Sequence, residues 1–314
     1  MTAGAHDELL AELRPAAFAI AYRMLGSVAE AEDVVQEALL RLHGALERGE
    51  RIESPRAYVA TVATRLSIDV LRSARMRREA YAGEWLPEPL VSDPADDPAR
   101  HAEMSDSLSL AFLVLLETLS PEQRAAFLLH DVFGYGYGEV AGIVGKSEDN
   151  ARQLAARARR HIDDGRPRFD SSREQRDELA RRFFAAAREG EVEALESLLA
   201  EDVVLHGDGG GKVPALGRAV HGARRVSRTL AAWARIGGRI PGLTMRLVDV
   251  NGQPGAVSTD GDGHVINVMA LDIAGGRIQE IRSIVNPDKL SHLGPAANWA
   301  ATLKGSDPSR VVEG

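Results

Sequence analysis

Apolar residues recur at helical spacing from residue 7 to 25, where Gly26 stops the run, and again from about residue 28 to 46 behind Ser27. Ser27-Val28-Ala29-Glu30 has the form of a capping box, in which the serine oxygen meets a free N–H and the glutamate reaches back. In the second run Ala31, Val34, Val35, Ala38, Leu39 and Leu42 make one broad stripe, which predicts a core-facing side. Glu30, Asp33, Gln36, Glu37 and Arg41 take the opposite side. Ser54-Pro55 opens a third helix, with proline at the first helical position, where its missing donor costs nothing. That helix buries Val59, Val62, Ala63, Leu66 and Val70 and turns Arg65, Asp69, Arg72 and Arg75 outward. Helical periodicity breaks at Tyr81. The next 21 residues, to His101, hold four of the chain's 14 prolines (Pro87, Pro89, Pro94, Pro98) and a run of acids, which predicts a linker without helix or strand. Trp85 and Leu86 gain nothing from water in such a segment, so they predict a docking surface for it.

Two further helices are expected, from about residue 102 to 119 and from Ser120-Pro121-Glu122-Gln123 onward. A short helix from 139 to 144 follows, with Val140, Ile143 and Val144 inward, then a Gly145-Lys146 turn, then a helix capped by Ser147 that carries Arg152, Arg157, Arg159 and Arg160. A short helix, a glycine turn and a basic second helix describe a DNA reader; an ordinary helical hairpin with a solvated basic face fits this stretch equally well. After Phe169 the pattern changes class. Helices are predicted over 172–188 and 192–199, a strand over 202–206, a helix over 222–235, and strands over 243–250, 254–259, 264–273 and 277–285. Asn251-Gly252 and Gly275-Gly276 join these strands as hairpins. Helices followed by an antiparallel meander predict an α+β domain whose curved sheet closes over helices as a cone.

At 314 residues the chain has room for two or three domains, and 27% charged and 44% hydrophobic residues are ordinary for a globular protein. Zero cysteines exclude disulfides, thiolate metal sites and cysteine nucleophiles. No secretory signal or membrane span is expected. The net charge of −8 argues at first against nucleic acid, but basic residues cluster at Arg65, Arg72, Arg75, Arg77 and Arg78 and again at Arg152, Arg157, Arg159, Arg160, Arg166 and Arg168. The helix dipole accounts for part of the first cluster, though five arginines in 14 residues exceed that need.

On these residues the chain resembles the sigma-70 family of bacterial transcription initiation factors, in particular the extracytoplasmic-function (ECF) group. AEAEDVVQEALLRL is similar to that family's core-polymerase-binding helix, SPRAYVATVATRLSIDVLR to its −10-reading segment, and LSPEQRAAFLLHDVFGYGYGEVAGIVGKSEDNARQLAARARRHI to its −35-reading region. WLPEP, DGGGK and NPDKL resemble motifs of the SigJ-like subgroup, which adds a SnoaL-like domain. The resemblance implies a multidomain architecture: an all-α sigma region 2 domain over 1–80, a linker over 81–101, an all-α sigma region 4 domain over 102–168, an α+β SnoaL-like cone over 172–293 and a loosely ordered tail over 294–314. Asp33, Gln36, Glu37 and Arg41 would meet the polymerase's beta-prime clamp helices. Tyr58, Arg65, Asp69, Arg72, Arg75, Arg77 and Arg78 would lie along −10 DNA, and Ser147, Asn150, Arg152, Gln153, Arg157 and Arg160 would read the −35 element.

The C-terminal domain leaves three readings. His206, Asp208, His221 and His264 could form an acid–base set, making the chain an enzyme or a one-component DNA-binding sensor with a small ligand in the cone. Asp208-Gly209-Gly210-Gly211-Lys212 could cradle an anion, or be no more than a tight loop. The favoured reading docks that loop, together with Asn286, Pro287, Asp288, Lys289 and Leu290, against Trp85, Leu86, Pro87, Glu88 and Pro89 and the second sigma region. The expectation is a cytoplasmic, non-enzymatic factor without cofactor or metal, monomeric when free, that partners core RNA polymerase and promoter DNA.

Overall fold

The computed structural model describes residues 3–79, 81–93, 107–165 and 172–297. The chain divides into two compact units, one of residues 1–80 and 113–166, the other of residues 81–112 and 167–314.

In the first unit α1 (Ala3–Leu25), α2 (Val28–Glu47) and α3 (Pro55–Glu79) pack on one another. Ser27 Oγ accepts the Glu30 N–H at 3.2 Å and Ser54 Oγ the Ala57 N–H at 3.2 Å, so both predicted starts are capped by serine. The α2 stripe is buried at Ala31, Val34, Val35, Ala38 and Leu42. The helix predicted over 102–119 is described only as α4 (Leu110–Leu116). α5 (Pro121–Phe127) has both halves of its capping box and runs into one π-helical turn, Leu128–Val132, which the sequence pattern does not announce. α6 (Tyr137–Val144) and α7 (Glu148–Gly165) complete the unit.

In the second unit α8 (Arg173–Glu189), α9 (Val192–Leu198) and α10 (Ala223–Gly237) accompany a seven-stranded sheet of order β1-β4-β5-β6-β7-β2-β3. Its strands are β1 (Val91–Ser92), β2 (Leu199–Asp208), β3 (Val220–His221), β4 (Thr244–Val250), β5 (Gln253–Thr259), β6 (Val265–Ala274) and β7 (Arg277–Ile284). The meander β4 to β7 is antiparallel, and β2 returns parallel to β7. The Asn251-Gly252 hairpin has φ of 54° and 78° and Gly275-Gly276 has 57° and 68°, as a two-residue turn with both positions left-handed requires.

Leu205, Ile281, Leu271, Met269 and Ala256 share the sheet face that packs with Leu179, Phe183, Leu195, Val226 and Leu230 of the helices. The alternate positions, His206, Asp208, Glu280, Arg282 and Asp272, belong to the other face. Two sequence expectations change here. The linker is not free of strand, because Val91 and Ser92 pair with Val250 and Asp249 at the edge of the sheet. The strand predicted over 202–206 extends to Leu199–Asp208 because it lies inside the sheet, between β7 and β3, and is paired on both sides. A short helix, α11 (Pro287–Leu290), follows β7 behind an Asn286 cap. The tail expected over 294–314 lies outside the described residues beyond Ala297, and Ala296 still bridges to Val265.

Candidate functional site

The exposed side of α2 presents Asp33, Gln36, Glu37 and Arg41, with Arg41 Nε 2.7 Å from Glu37 Oε1. At 3.6 residues per turn Leu40 falls in the middle of this stripe. It is 58% exposed, the most exposed large apolar side chain among the described residues, and hydrophobic patterning assigns it no role.

On α3, Tyr58, Arg65, Asp69 and Arg72 share one stripe, and in the first unit Arg65 and Arg72 of that stripe meet α6 and α5. Arg65 Nε donates to Ile143 O at 2.9 Å and its Nη2 to Gly142 O at 2.7 Å, so the guanidinium caps the free carbonyls at the end of α6. Arg72 Nη2 lies 2.6 Å from Glu122 Oε1 and its Nη1 3.5 Å from Asp69 Oδ1. The Arg72 hydrogen bond holds the Glu122 carboxyl below its usual range against the opposing effect of burial. Behind them Arg124 is buried, donating to Met24 O at 2.6 Å and to Glu117 Oε1 at 2.7 Å, and burial lowers its pKa to about 9. The side chains of Arg75, Arg77 and Arg78 lie outside the described residues.

The two helices predicted as a DNA reader form as α6 and α7 around Val140, Ile143, Ala151 and Ala155. Gly145 takes the left-handed conformation, φ 65°, that the turn demands, and Ser147 Oγ accepts the Asn150 N–H at 3.3 Å. Asn150, Gln153, Arg157 and Arg160 are exposed along one side of α7. Arg152 turns onto the flank, its guanidinium 4.8 Å from the Tyr137 ring centroid and 2.7 Å from Glu148 Oε1. This side chain is fixed by its own helix pair rather than by the side that carries the others.

In the second unit the linker, with its WLPEP motif, and the two C-terminal motifs DGGGK and NPDKL meet on the sheet face away from the helices. Asp208 is fully buried at the end of β2. Its Oδ1 accepts the Tyr81 hydroxyl at 2.5 Å and the Gly210 N–H at 3.0 Å, while Oδ2 accepts the Leu86 N–H at 2.8 Å and lies 2.6 Å from Lys289 Nζ. Lys289 also donates to Leu86 O and stands 4.9 Å from the Tyr81 ring centroid and 4.3 Å from that of Trp85. Asn286 Nδ2 donates to Tyr81 Oη at 2.9 Å, and its N–H donates to Asp208 O at 3.0 Å. Burial and the Asp208 hydrogen bond push the Tyr81 hydroxyl far above its ordinary pKa. Lys212 pairs with Asp288, and His292 Nε2 is 2.8 Å from Pro89 O.

The glycines of the loop are required by space as well as by torsion. Gly210 and Gly211 have φ of 59° and 69°, and a Cβ on Gly210 would overlap the Asn286 side chain while one on Gly211 would meet Ala82 Cβ at 2.8 Å. Beside them an ionic group joins linker to sheet: His206 Nδ1 is 2.6 Å from Glu84 Oε1 and its Nε2 3.6 Å from Glu280 Oε2, and Arg282 pairs with Glu280 and Asp272. Burial lowers the His206 pKa, but the Glu280 and Glu84 carboxylates outweigh it and the net shift is upward. Burial raises the Glu84 carboxyl, and His206 outweighs that, leaving it below the ordinary value.

The four residues named as an acid–base set are used separately. Asp208 binds the linker and Lys289, His206 binds Glu84, His264 contacts Asp260 of its own turn at 3.1 Å, and His221 is exposed on β3. Asp260, Asp262 and His264 could hold a cation, their ligand atoms lying within 4.8 Å of one another, although Asp260 Oδ1 already accepts the Asp262 and His264 N–H groups.

Sequence reasoning missed Tyr81, Glu84, His206 as a linker contact, and Asn251, whose Oδ1 accepts the Leu90 N–H at 2.8 Å and whose Nδ2 donates to Leu108 O at 2.9 Å. One signal was present: the stretch from Val265 to Ile273 is almost continuously apolar, which fits a strand covered on both faces rather than a half-solvated one.

Residues 9–77 match the Sigma-70 region 2 family, residues 109–162 the Sigma-70 region 4 family, and residues 180–284 the SnoaL-like domain family. The chain is 39% identical over 290 residues to the ECF RNA polymerase sigma factor SigJ of Mycobacterium tuberculosis, covering 89% of this chain and 91% of that one. It is 34% identical over 278 residues to the probable ECF RNA polymerase sigma factor SigI of the same species, covering 87% and 91%. The crystal structure of M. tuberculosis SigJ superposes with a TM-score of 0.72 at 35% identity, covering 93% of this chain and 99% of that one. Among the described residues no helix is long and apolar enough to cross a membrane. With both sigma regions and the SnoaL-like domain in the order and extent of these relatives, the chain belongs to the ECF sigma factors.

Proposed function

We propose that the chain carries RNA polymerase core to promoters through three helices, with α2 binding the polymerase, α3 the −10 element and α7 the −35 element. In this reading the C-terminal domain sets the activity by holding the linker between the two sigma regions, and it works in the cytoplasm without catalysis. The observation that supports the regulatory part is Asp208. One buried carboxylate binds the linker at two points, the Tyr81 hydroxyl and the Leu86 N–H, and binds Lys289 of the NPDKL motif with the same oxygens. A linker restrained there has fewer separations available to the DNA-reading regions it joins.

The stripe Tyr58, Arg65, Asp69 and Arg72 gives the restraint something to act on, because Arg65 and Arg72 are engaged by Gly142, Ile143 and Glu122 and must leave them to meet DNA. In vitro transcription with purified core polymerase tests the proposal on the full chain and on the Asp208→Asn and Trp85→Ala variants. The full chain is expected to give promoter-dependent transcripts, and the variants to alter their yield or promoter choice severalfold. Unchanged yield and choice in both variants, with core binding intact, would remove the regulatory role; absence of promoter-dependent transcripts from the full chain would remove the promoter role.

A further inference from the structure

The chain carries a third basic block, apart from the two assigned to the promoter. Residues 209–248 hold eight basic residues, Lys212, Arg218, Arg224, Arg225, Arg228, Arg235, Arg239 and Arg246, and no Asp or Glu, in a chain whose net charge is −8. A 40-residue acid-free stretch on an acidic chain is charge segregation, and the fold concentrates it further. Four of these arginines, Arg224, Arg225, Arg228 and Arg235, lie on α10. The buried side of that helix, Val226, Leu230 and Ala231, packs toward the core and leaves the arginines exposed. At 3.6 residues per turn Arg224, Arg228 and Arg235 fall within about 40° of one another, a stripe roughly 16 Å long at 1.5 Å per residue.

With 46 acidic side chains against 38 basic ones, an arginine on the surface has many carboxylates to meet. Arg41, Arg152, Arg159 and Arg181 each meet one, and Arg72 meets two. Among the described residues Arg218, Arg224, Arg225, Arg228 and Arg235 form no ion pair. Glu201 and Asp202 lie close by, since Gly222 N donates to Val203 O at 2.8 Å, and they too leave these arginines unpaired. Guanidinium groups left without carboxylates along one helix side fit a partner that brings its own anions in a row.

We propose that this side of α10 is a sequence-independent binding surface for the phosphate backbone of duplex DNA. A row of planar guanidinium forks suits phosphate, and about 16 Å of duplex presents several phosphates along one strand. The choice of DNA among polyanions rests on the sigma-factor reading, in which α7 already holds a duplex and the second unit is tethered to it through the chain. The surface adds affinity without reading bases.

The test uses the full chain, a labelled duplex without a promoter, and a potassium chloride series. Replacing Arg224, Arg228 and Arg235 together by alanine is expected to leave the melting temperature unchanged. It should weaken binding at low salt at least about tenfold and reduce the slope of log K against log salt by about 2 to 3, at about 0.9 per phosphate contact. The corresponding lysine variant should keep the slope. An unchanged slope in the alanine variant overturns the proposal, and so does a loss confined to vesicles of anionic phospholipid with DNA binding intact. Arg157→Ala in α7, read by promoter-dependent transcription with core polymerase, reports separately on the promoter reading.

Discussion

Replacing Asp208 by asparagine keeps the shape of the linker clamp and removes half of its hydrogen-bond capacity. The carboxylate serves four donors, two at each oxygen: the Tyr81 hydroxyl and Gly210 N–H at one, the Leu86 N–H and Lys289 ammonium at the other. An amide has one oxygen and turns an NH2 toward the remaining pair. If that oxygen faces Leu86 and Lys289, the NH2 meets the Gly210 N–H, and the Tyr81 oxygen it approaches already accepts from Asn286. If it faces the other way, the NH2 meets the Leu86 N–H and the Lys289 ammonium, and in either orientation the buried ammonium loses its counter-charge. Lys289 is only 6% exposed, so the charge cannot recover its water. Breaking a buried pair from one side costs about 3 to 5 kcal/mol, with each stranded donor contributing about 1 to 3 kcal/mol of that kind of penalty. The Leu86 amide reads the clamp directly, since its N–H is bonded to one of the two carboxylate oxygens, the one shared with Lys289. Its hydrogen exchange should accelerate by roughly two to three orders of magnitude in Asp208→Asn. Lys289→Met combined with Asp208→Asn should recover part of the loss, giving a coupling of at least about 1.5 kcal/mol in the double-mutant cycle. Unchanged exchange at Leu86, or two single effects that add within about 0.5 kcal/mol, would refute the reasoning.

The remaining predictions concern separate places. Gly210→Ala should destabilise the second unit by at least about 1 to 2 kcal/mol, the cost of a left-handed backbone with a Cβ, read as a lower urea midpoint; an unchanged midpoint shows that the loop relaxes freely. The His206–Glu84 contact stabilises through a raised histidine and a lowered glutamate. The histidine contribution is present below its ordinary value near 6.5 and lost as pH rises through the raised one; the glutamate contribution is present above its ordinary value near 4.5 and lost as pH falls through the lowered one. The stability difference between the full chain and His206→Gln should therefore be largest between those two values, and a difference flat from about pH 5 to 9 would contradict it. Arg72→Ala should change stability by less than about 1 kcal/mol, because the pair with Glu122 is exposed on the arginine side and screened by solvent, yet lower open-complex formation in a permanganate footprint; a normal footprint would take Arg72 out of the −10 surface. Asp33→Arg with Glu37→Arg should abolish core binding in a pull-down, and Leu40→Ala should weaken it at least about tenfold without moving the melting temperature; retained binding in both would displace α2 from that role.

Much of the fold was legible because local signals agreed with one another. Serine caps at Ser27, Ser54, Ser120 and Ser172 marked helix starts, and Asn251-Gly252 and Gly275-Gly276 marked hairpins whose torsions admit little else. The features missed were non-local. β1 owes its existence to Asp249 and Val250, about 160 residues away, not to any strand propensity in a proline-rich segment. The π turn at Leu128–Val132 carries no composition of its own. At the functional surfaces, Trp85 in a linker announced a docking contact correctly, because an indole in water has no local reason to be there. Asp208 was legible as part of a docking loop and as a member of a possible acid–base set, but nothing in the one-dimensional pattern shows that it is a buried carboxylate shared by Tyr81, Leu86 and Lys289. Arg65 and Arg72 were read as outward-facing from α3 alone, and they face outward from that helix toward α6 and Glu122.

The bond from Lys289 to the Leu86 carbonyl spans 203 residues of chain. Synthesis at about 5 to 20 residues per second separates the two ends by about 10 to 40 seconds. The second sigma region, matched over residues 109–162, is completed within that interval, before the lysine that holds the linker exists. In the proposed regulatory reading the two sigma regions are thus completed before their restraint, and the order of synthesis gives each nascent chain an interval in which Trp85 and Leu86 have no seat.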